Sequence, residues 1–221
     1  MSAPTAPRSS LRRALRAAGV LAVVAFVALL VYGLTTTSPN STIDDALSRG
    51  EAVPAPGFAL DPLAGGAPSG AAARAWERAA RDGEVRFDEL RGTPVVLNFW
   101  ASWCDPCRAE AEVLEASWRE QRGAGDVLFL GLDAQDARED ARDFIEQFGL
   151  TFPHARDPGN GTQLEWGATG LPETFFVAAD GRVVGHVIGS VNEQHLRDGV
   201  AAAKAGRPQG ADEGGDRRPL R

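Results

Sequence analysis

The sequence predicts an α/β domain with a central mixed β-sheet flanked by helices, preceded by one apolar helix near the N-terminus. Three observations carry this. Apolar runs of strand length alternate with helical stretches between about residues 54 and 205, the last two strand-like runs are joined by a hairpin turn, and a charge-free stretch of membrane-spanning length occupies residues 17–34. At 221 residues the chain holds one domain of about 150 residues with further segments at both ends.

Residues 1–16 carry Arg8, Arg12, Arg13 and Arg16 and no acidic residue. From Ala17 to Leu34 there is no charge, and as a helix this stretch spans roughly 27 Å, close to the hydrocarbon thickness of a bilayer. The arginines before it and Asp44 and Asp45 after it predict a signal-anchor helix with a cytoplasmic N-terminus and an exported remainder. A cleaved signal peptide is the alternative. The length of the run, and Thr35-Thr36-Thr37-Ser38 in place of an A-x-A site, favour the anchor. Residues 35–53 are small and polar and read as a linker.

Within residues 54–205, Phe58–Leu60 and Glu84–Phe87 have strand composition and the stretch between them contains a helical run, Ala71–Arg81. Pro94–Trp100 is a buried-type strand, Asp105–Arg122 a helix, Asp126–Leu132 a second buried strand, and Ala137–Phe148 a helix closed by Gly149. A short strand is expected near Phe152. Thr174–Ala178 and Arg182–Ile188 flank Ala179-Asp180-Gly181, a hairpin signal, and Asn192 caps a last helix running to about Ala205. Residues 206–221 lack any apolar period and are expected to be a disordered tail.

Charge and cysteine content narrow the chemistry. Formal net charge is −7, and from Asp44 onward 19 basic residues face 30 acidic ones, which argues against a nucleic-acid partner. Two cysteines three positions apart cannot form a disulfide framework, and His154, His186 and His195 all lie far from them in sequence, so no metal site and no cofactor is expected.

Those cysteines lie in Trp103-Cys104-Asp105-Pro106-Cys107, where a buried strand gives way to a helix. Unpaired N–H groups and the helix dipole favour a thiolate there, so Cys104 is the expected exposed nucleophile. Cys107, one turn in, is placed to attack a mixed disulfide formed by Cys104. Pro106 removes a donor that the first turn leaves unused.

On these residues the sequence resembles the membrane-tethered thioredoxin-like proteins of the TlpA, ResA and CcmG (DsbE) type, over about Phe58 to Ala203. The resemblance rests on the run Val96 to Cys104, on Cys107-Arg108-Ala109-Glu110, on Phe148 to Pro153, and on Gly170-Leu171-Pro172-Glu173-Thr174-Phe175. It implies a thioredoxin-like fold and a redox-active Cys104–Cys107 pair. It further implies a cis-Pro172 beside that pair and a groove in which the backbone of Leu171 pairs with an extended substrate; Trp103, Asp105 and Pro106 are the other expected substrate-binding residues. Glu110 matches an acidic residue of the family and is expected to serve the resolving thiol as a local acid or base; a merely solvated carboxylate is the alternative. Asn98 stands where cytosolic thioredoxins carry a buried Asp, which makes Glu110 the candidate substitute. Glu112 stands where they carry Pro, so an unkinked helix is expected. Residues 62–82 are longer than the family's usual hairpin, and Trp166 is expected to pack near the site.

Asp105 adds negative charge beside Cys104 and opposes the helix dipole, which favours a reductant. The resemblance implies exported disulfide-bearing clients such as apocytochrome c and a transmembrane electron donor of the CcdA or DsbD type. An exported dithiol oxidase and a non-catalytic metal or haem delivery protein stay open as alternatives; a peroxidase is disfavoured by the absence of a T-x-x-C setting.

Overall fold

The computed structural model describes residues 8–36, 40–216 and 218–219. The chain forms two units, one holding the N-terminal helix and the other comprising Pro39–Arg221. In the first, α1 (Arg8–Thr36) contains a stretch, Arg13–Gly33, long and apolar enough to cross a membrane.

The second unit begins with α2 (Thr42–Ser48), β1 (Val53–Pro54), β2 (Ala59–Ala64), α3 (Gly70–Ala79), β3 (Val85–Arg86) and a 3-10 turn, η1 (Phe87–Leu90). It continues through β4 (Val95–Trp100), α4 (Asp105–Arg122), β5 (Leu128–Ala134), α5 (Arg138–Gln147), β6 (His154–Asp157), α6 (Gly161–Trp166) and β7 (Gly170–Leu171). Next come β8 (Glu173–Val177), β9 (Arg182–Ile188), α7 (Glu193–Ala205), β10 (Gly210–Glu213) and β11 (Arg218–Pro219). The main sheet runs β1-β9-β8-β4-β5-β6-β2-β3, with β10 also on β9. It is mixed: β4 pairs parallel with β5 and antiparallel with β8.

Every residue of β4 and β5 is buried, as their continuous apolar composition predicts for strands covered on both faces. Side-chain alternation sorts the helices around β4. Asn98 and Trp100 face α4 and α5, where Trp100 stacks on Phe144 at 4.6 Å. Phe99 points the other way, into an aromatic cluster of Trp166, Phe175 and Phe87. The helix α4 is continuous through the exposed Glu112, as expected without a proline.

Two segments differ from their expected character. Residues 35–53 were expected as a linker, yet α2 buries Ile43, Ala46 and Leu47 and β1 pairs with β9. Three apolar residues at i, i+3 and i+4 are too few to show a sustained period; tertiary packing supplies the rest. Of the expected disordered tail, 206–221, residues 217, 220 and 221 lie outside the described residues, and the others add β10 parallel to β9 and β11 antiparallel to β7. Backbone hydrogen bonds hold these strands, and such bonds leave no hydropathy signature. The long stretch 62–82 extends β2 against β6 and forms α3, which buries Ala72, Ala75, Trp76 and Ala79. The small helix α6 was not anticipated; Asn160 and Gly167 bound it, both with positive φ.

Packing is close where α7 crosses β8. A Cβ at Gly199 would collide with the Phe176 ring. Alanine there gains about 1 kcal/mol of helix propensity, but forcing the ring aside costs about 1–3 kcal/mol. Gly199→Ala is therefore expected to lower the urea midpoint; an unchanged or higher midpoint overturns this account of the contact.

Candidate active site

The fully buried β4 ends at Trp100, and the chain turns through Ala101–Trp103 into α4, with Cys104 as its N-cap. Cys104 Sγ accepts a hydrogen bond from Cys107 N at 3.2 Å, and the two sulfurs are joined in a disulfide. Pro106 lies in the first turn, as its missing N–H allows. Asp105 is exposed beside it.

The turn is fastened from outside. Ser102 N donates to Asp136 Oδ2 at 2.6 Å, and Trp103 Nε1 donates to the carbonyl of Gln135, a residue at φ 51°. Arg108 reaches back to Ser102 O and lies over the Phe144 and Phe148 rings at 5.6 and 5.2 Å, a cation–π arrangement.

The Leu171–Pro172 peptide bond is cis. Because Glu173 pairs with Phe99 across the β4–β8 ladder, Pro172 falls alongside the end of β4, where the cysteine turn starts. Leu171 is fully buried, and its backbone is paired with Arg218 of the chain's own C-terminal strand.

Cys104 differs from expectation: the N-cap sulfur was expected to be exposed, and the residue has no accessible surface. Glu110 is likewise 2% exposed, which excludes a solvated carboxylate. The i,i+3 spacing puts it on the face of α4 that carries Cys107. Its Oε1 accepts from Asn98 Nδ2 at 2.8 Å and its Oε2 from Val191 N at 2.7 Å, while Asn98 Nδ2 also reaches Thr174 Oγ1 at 3.0 Å. Burial pushes the Glu110 carboxyl up to about 8, although both hydrogen bonds pull it down. Asn98 and Glu110 thus form one buried, hydrogen-bonded pair.

Sequence reasoning gave no role to Glu173 and His186. Glu173 has no exposed surface; its Oε1 accepts from Thr169 N, Thr169 Oγ1 and Gly170 N at 2.8–3.0 Å, bracing the loop before cis-Pro172. Its Oε2 lies 3.0 Å from His186 Nε2, and His186 Nδ1 lies 2.7 Å from Asp44 Oδ1 in α2. Burial lowers the imidazole pKa, but the two carboxylates outweigh it and the net shift is upward. The signal available in the sequence was an acidic residue inside an apolar strand. Trp166 packs edge-on against Phe175 and Phe87 in the core and is fully buried, so it offers no surface to a substrate.

A dithiol pair that can close at a helix N-terminus, beside a cis-proline on a thioredoxin-like sheet, defines a thiol-disulfide oxidoreductase. The chain belongs to the AhpC/TSA family, whose match extends over residues 55–186. It is 30% identical over 188 residues to the thiol:disulfide interchange protein HelX of Rhodobacter capsulatus, covering 85% of this chain and 93% of that one. It is 32% identical to DsbE of Xylella fastidiosa Temecula1, with 80% of each chain covered. To the thiol-disulfide oxidoreductase ResA of Bacillus anthracis it is 33% identical, over 51% of this chain and 65% of that one. Among solved structures, a DsbE from Chlorobium tepidum superposes with a TM-score of 0.52 at 25% identity, covering 69% of this chain and 96% of that one. The DsbF of MTB gives 0.54 at 26%, covering 66% and 95%.

Proposed function

We propose that this oxidoreductase is anchored by α1 with its catalytic domain outside the cytoplasm, and that it works as a reductant of exported disulfides. The observation that carries the direction is the charge around the dithiol. Asp105 lies in the first turn of α4, where its charge opposes the helix dipole that would hold Cys104 as a thiolate. A poorly stabilised thiolate is a better reductant, as the contrast between thioredoxin and DsbA shows.

In the proposed cycle the Cys104 thiolate attacks a client disulfide and one client sulfur leaves. The Cys107 thiolate then attacks Cys104 Sγ, releasing the second client sulfur and closing the Cys104–Cys107 bond. Glu110 takes the Cys107 proton; at about 8 its carboxyl nearly matches an ordinary thiol, at about 8.5, so the transfer is close to thermoneutral. Leu171 and cis-Pro172 hold the client backbone, with Trp103 and Pro106 at the rim.

The favoured client is the C-x-x-C-H segment of apocytochrome c, and the favoured electron donor a membrane thiol protein of the CcdA or DsbD type. The resemblance to HelX, DsbE and ResA supports both. Cys107→Ser leaves Cys104 able to capture a client but unable to release it. Mass spectrometry of the trapped mixed disulfides is expected to return apocytochromes c; a broad set of exported proteins would make the protein a general reductase. A reduction potential above roughly −150 mV would overturn the direction and make it an oxidase.

A further inference from the structure

The strand β11 pairs antiparallel with β7, placing Arg218 opposite Leu171 and Pro219 opposite Gly170. That is the edge leading into cis-Pro172, where the proposed function seats an extended client. The described residues before β11, 209–216, follow a backbone track along β9 and Ser190. Gln209 N donates to Val184 O at 2.6 Å, and Gly210–Glu213 then pair with Gly185–Ile188. Gly214 N donates to Ile188 O and Gly215 N to Ser190 O, both at 2.8 Å, and Ser190 N donates to Asp216 O at 3.1 Å. Ser190 Oγ stands 2.8 Å from Asp216 O and 3.4 Å from the carbonyl of Pro106, inside the C-x-x-C motif.

Glycines allow this close approach from both sides. A Cβ at Gly189, whose φ is +99°, would collide with Gly215 O, and a Cβ at Gly214 would stand 2.5 Å from Ser190 O. Leu171, opposite Arg218, has no accessible surface, and neither has Cys104.

We infer that Arg218–Pro219 is an intramolecular pseudosubstrate: a short strand of the chain itself that occupies the client edge at Gly170–Leu171 and, with the described residues 210–216 that run beside Ser190, shields the Cys104–Cys107 disulfide. This rests on the reading of β7 as the client edge. The segment 210–219 contains no cysteine, so exchange cannot attack or consume it. It leaves only by dissociating. Its described side chains, Ala211, Asp212, Glu213 and Asp216, bring no large apolar anchor; backbone bonds and a partly exposed Asp212–His195 contact at 3.8 Å hold it, and it opens locally while the fold stays intact. A client or reductant meets the site only in the open fraction, and its apparent affinity or rate falls by that fraction.

The test uses the full chain in detergent micelles, oxidised, with two variants outside the catalytic machinery: deletion of Gly214–Arg221, and Gly214→Ala. The reaction is reduction by dithiothreitol. One of its thiolates attacks Cys104 Sγ, and Cys107 departs as a thiolate and takes up a proton. The second dithiothreitol sulfur then closes the reagent's own disulfide and releases Cys104 as a thiol. Both variants are expected to be reduced about tenfold faster or more, and a synthetic peptide of residues 210–221 is expected to slow the deletion variant back toward the parent. Equal rates in all three proteins overturn the proposal, as does acceleration that the peptide leaves untouched. The same proteins, reduced, are then offered an oxidised C-x-x-C-H peptide. If the variants gain speed with dithiothreitol but none reduces this peptide, the pseudosubstrate stands and the client assignment fails.

Discussion

Cys104→Ser is expected to reduce dithiol exchange to the uncatalysed background, measured as reduction of an oxidised C-x-x-C-H peptide. The serine oxygen is not ionised near neutral pH and forms no mixed disulfide, so the first bond of the cycle has no route. Loss of fold does not explain such a result. The disulfide closes a loop of only four residues, and chain-entropy reasoning assigns such a loop about 2 kcal/mol, below the roughly 5–15 kcal/mol of net stability usual for a folded domain. The variant should therefore keep its far-UV circular dichroism and unfold cooperatively. Exchange above background in this variant would move the nucleophile to Cys107. Cys107→Ser, by contrast, retains the first step and accumulates the covalent intermediate.

Glu110→Gln carries the second large effect, and it has a kinetic and a thermodynamic face. Glutamine reproduces the protonated carboxyl: its oxygen accepts from Val191 N and its amide donates to Asn98 once that side chain turns its own oxygen inward. It cannot accept the Cys107 proton, so resolution of the mixed disulfide at pH 7 should slow by about a hundredfold. The rise in rate through about pH 8 that follows ionisation of Glu110 should disappear. Unchanged kinetics would remove Glu110 from the proton path.

For stability, the folded carboxyl keeps its proton to about pH 8, whereas the unfolded one loses it near 4.5. Between these values the folded state binds the extra proton. The stabilising contribution is complete below about 4.5, drains away as pH rises through the window, and is gone above about 8. The parent should thus lose up to about 5 kcal/mol relative to Glu110→Gln across that window. Urea titrations at pH 4.5, 6 and 8.5 measure the difference, and a flat difference would place the carboxyl in a wetter environment than its 2% exposure indicates.

The parts of this fold that were legible in the sequence are those specified by side-chain chemistry. The run Val95–Trp100 reads as a doubly covered strand, Cys104 and Pro106 mark the start of α4, and Asn192 caps α7 through His195 N at 2.9 Å. Asp180-Gly181 marks the β8–β9 turn. What escaped is held by partners remote in sequence. The helix α2 is two turns long and gains its place from the core, with Asp44 meeting His186 across 142 positions. The burial of Glu110 was concealed by a helix rich in glutamate, because nothing in its neighbours distinguishes it from the exposed Glu112 and Glu120. Glu173 looked like a motif letter, and only the fold reveals it bracing Thr169 and Gly170. The C-terminal strands are backbone-specified and hence silent in composition.

The strand β9 has a consequence for how these molecules behave when crowded together. An unpaired sheet edge templates the addition of another chain, the first step of ordered aggregation. Here the outer side of β9 is covered at one end by Val53–Pro54 and over Gly185–Ile188 by Gly210–Glu213, so its edge is paired by other segments of the same chain. The replacement edge is four residues long and carries Asp212 and Glu213, whose like charges repel a second copy, and at the far side of the sheet β3 is only two residues long. The sheet is thereby guarded against edge-to-edge polymerisation by short, charged margins.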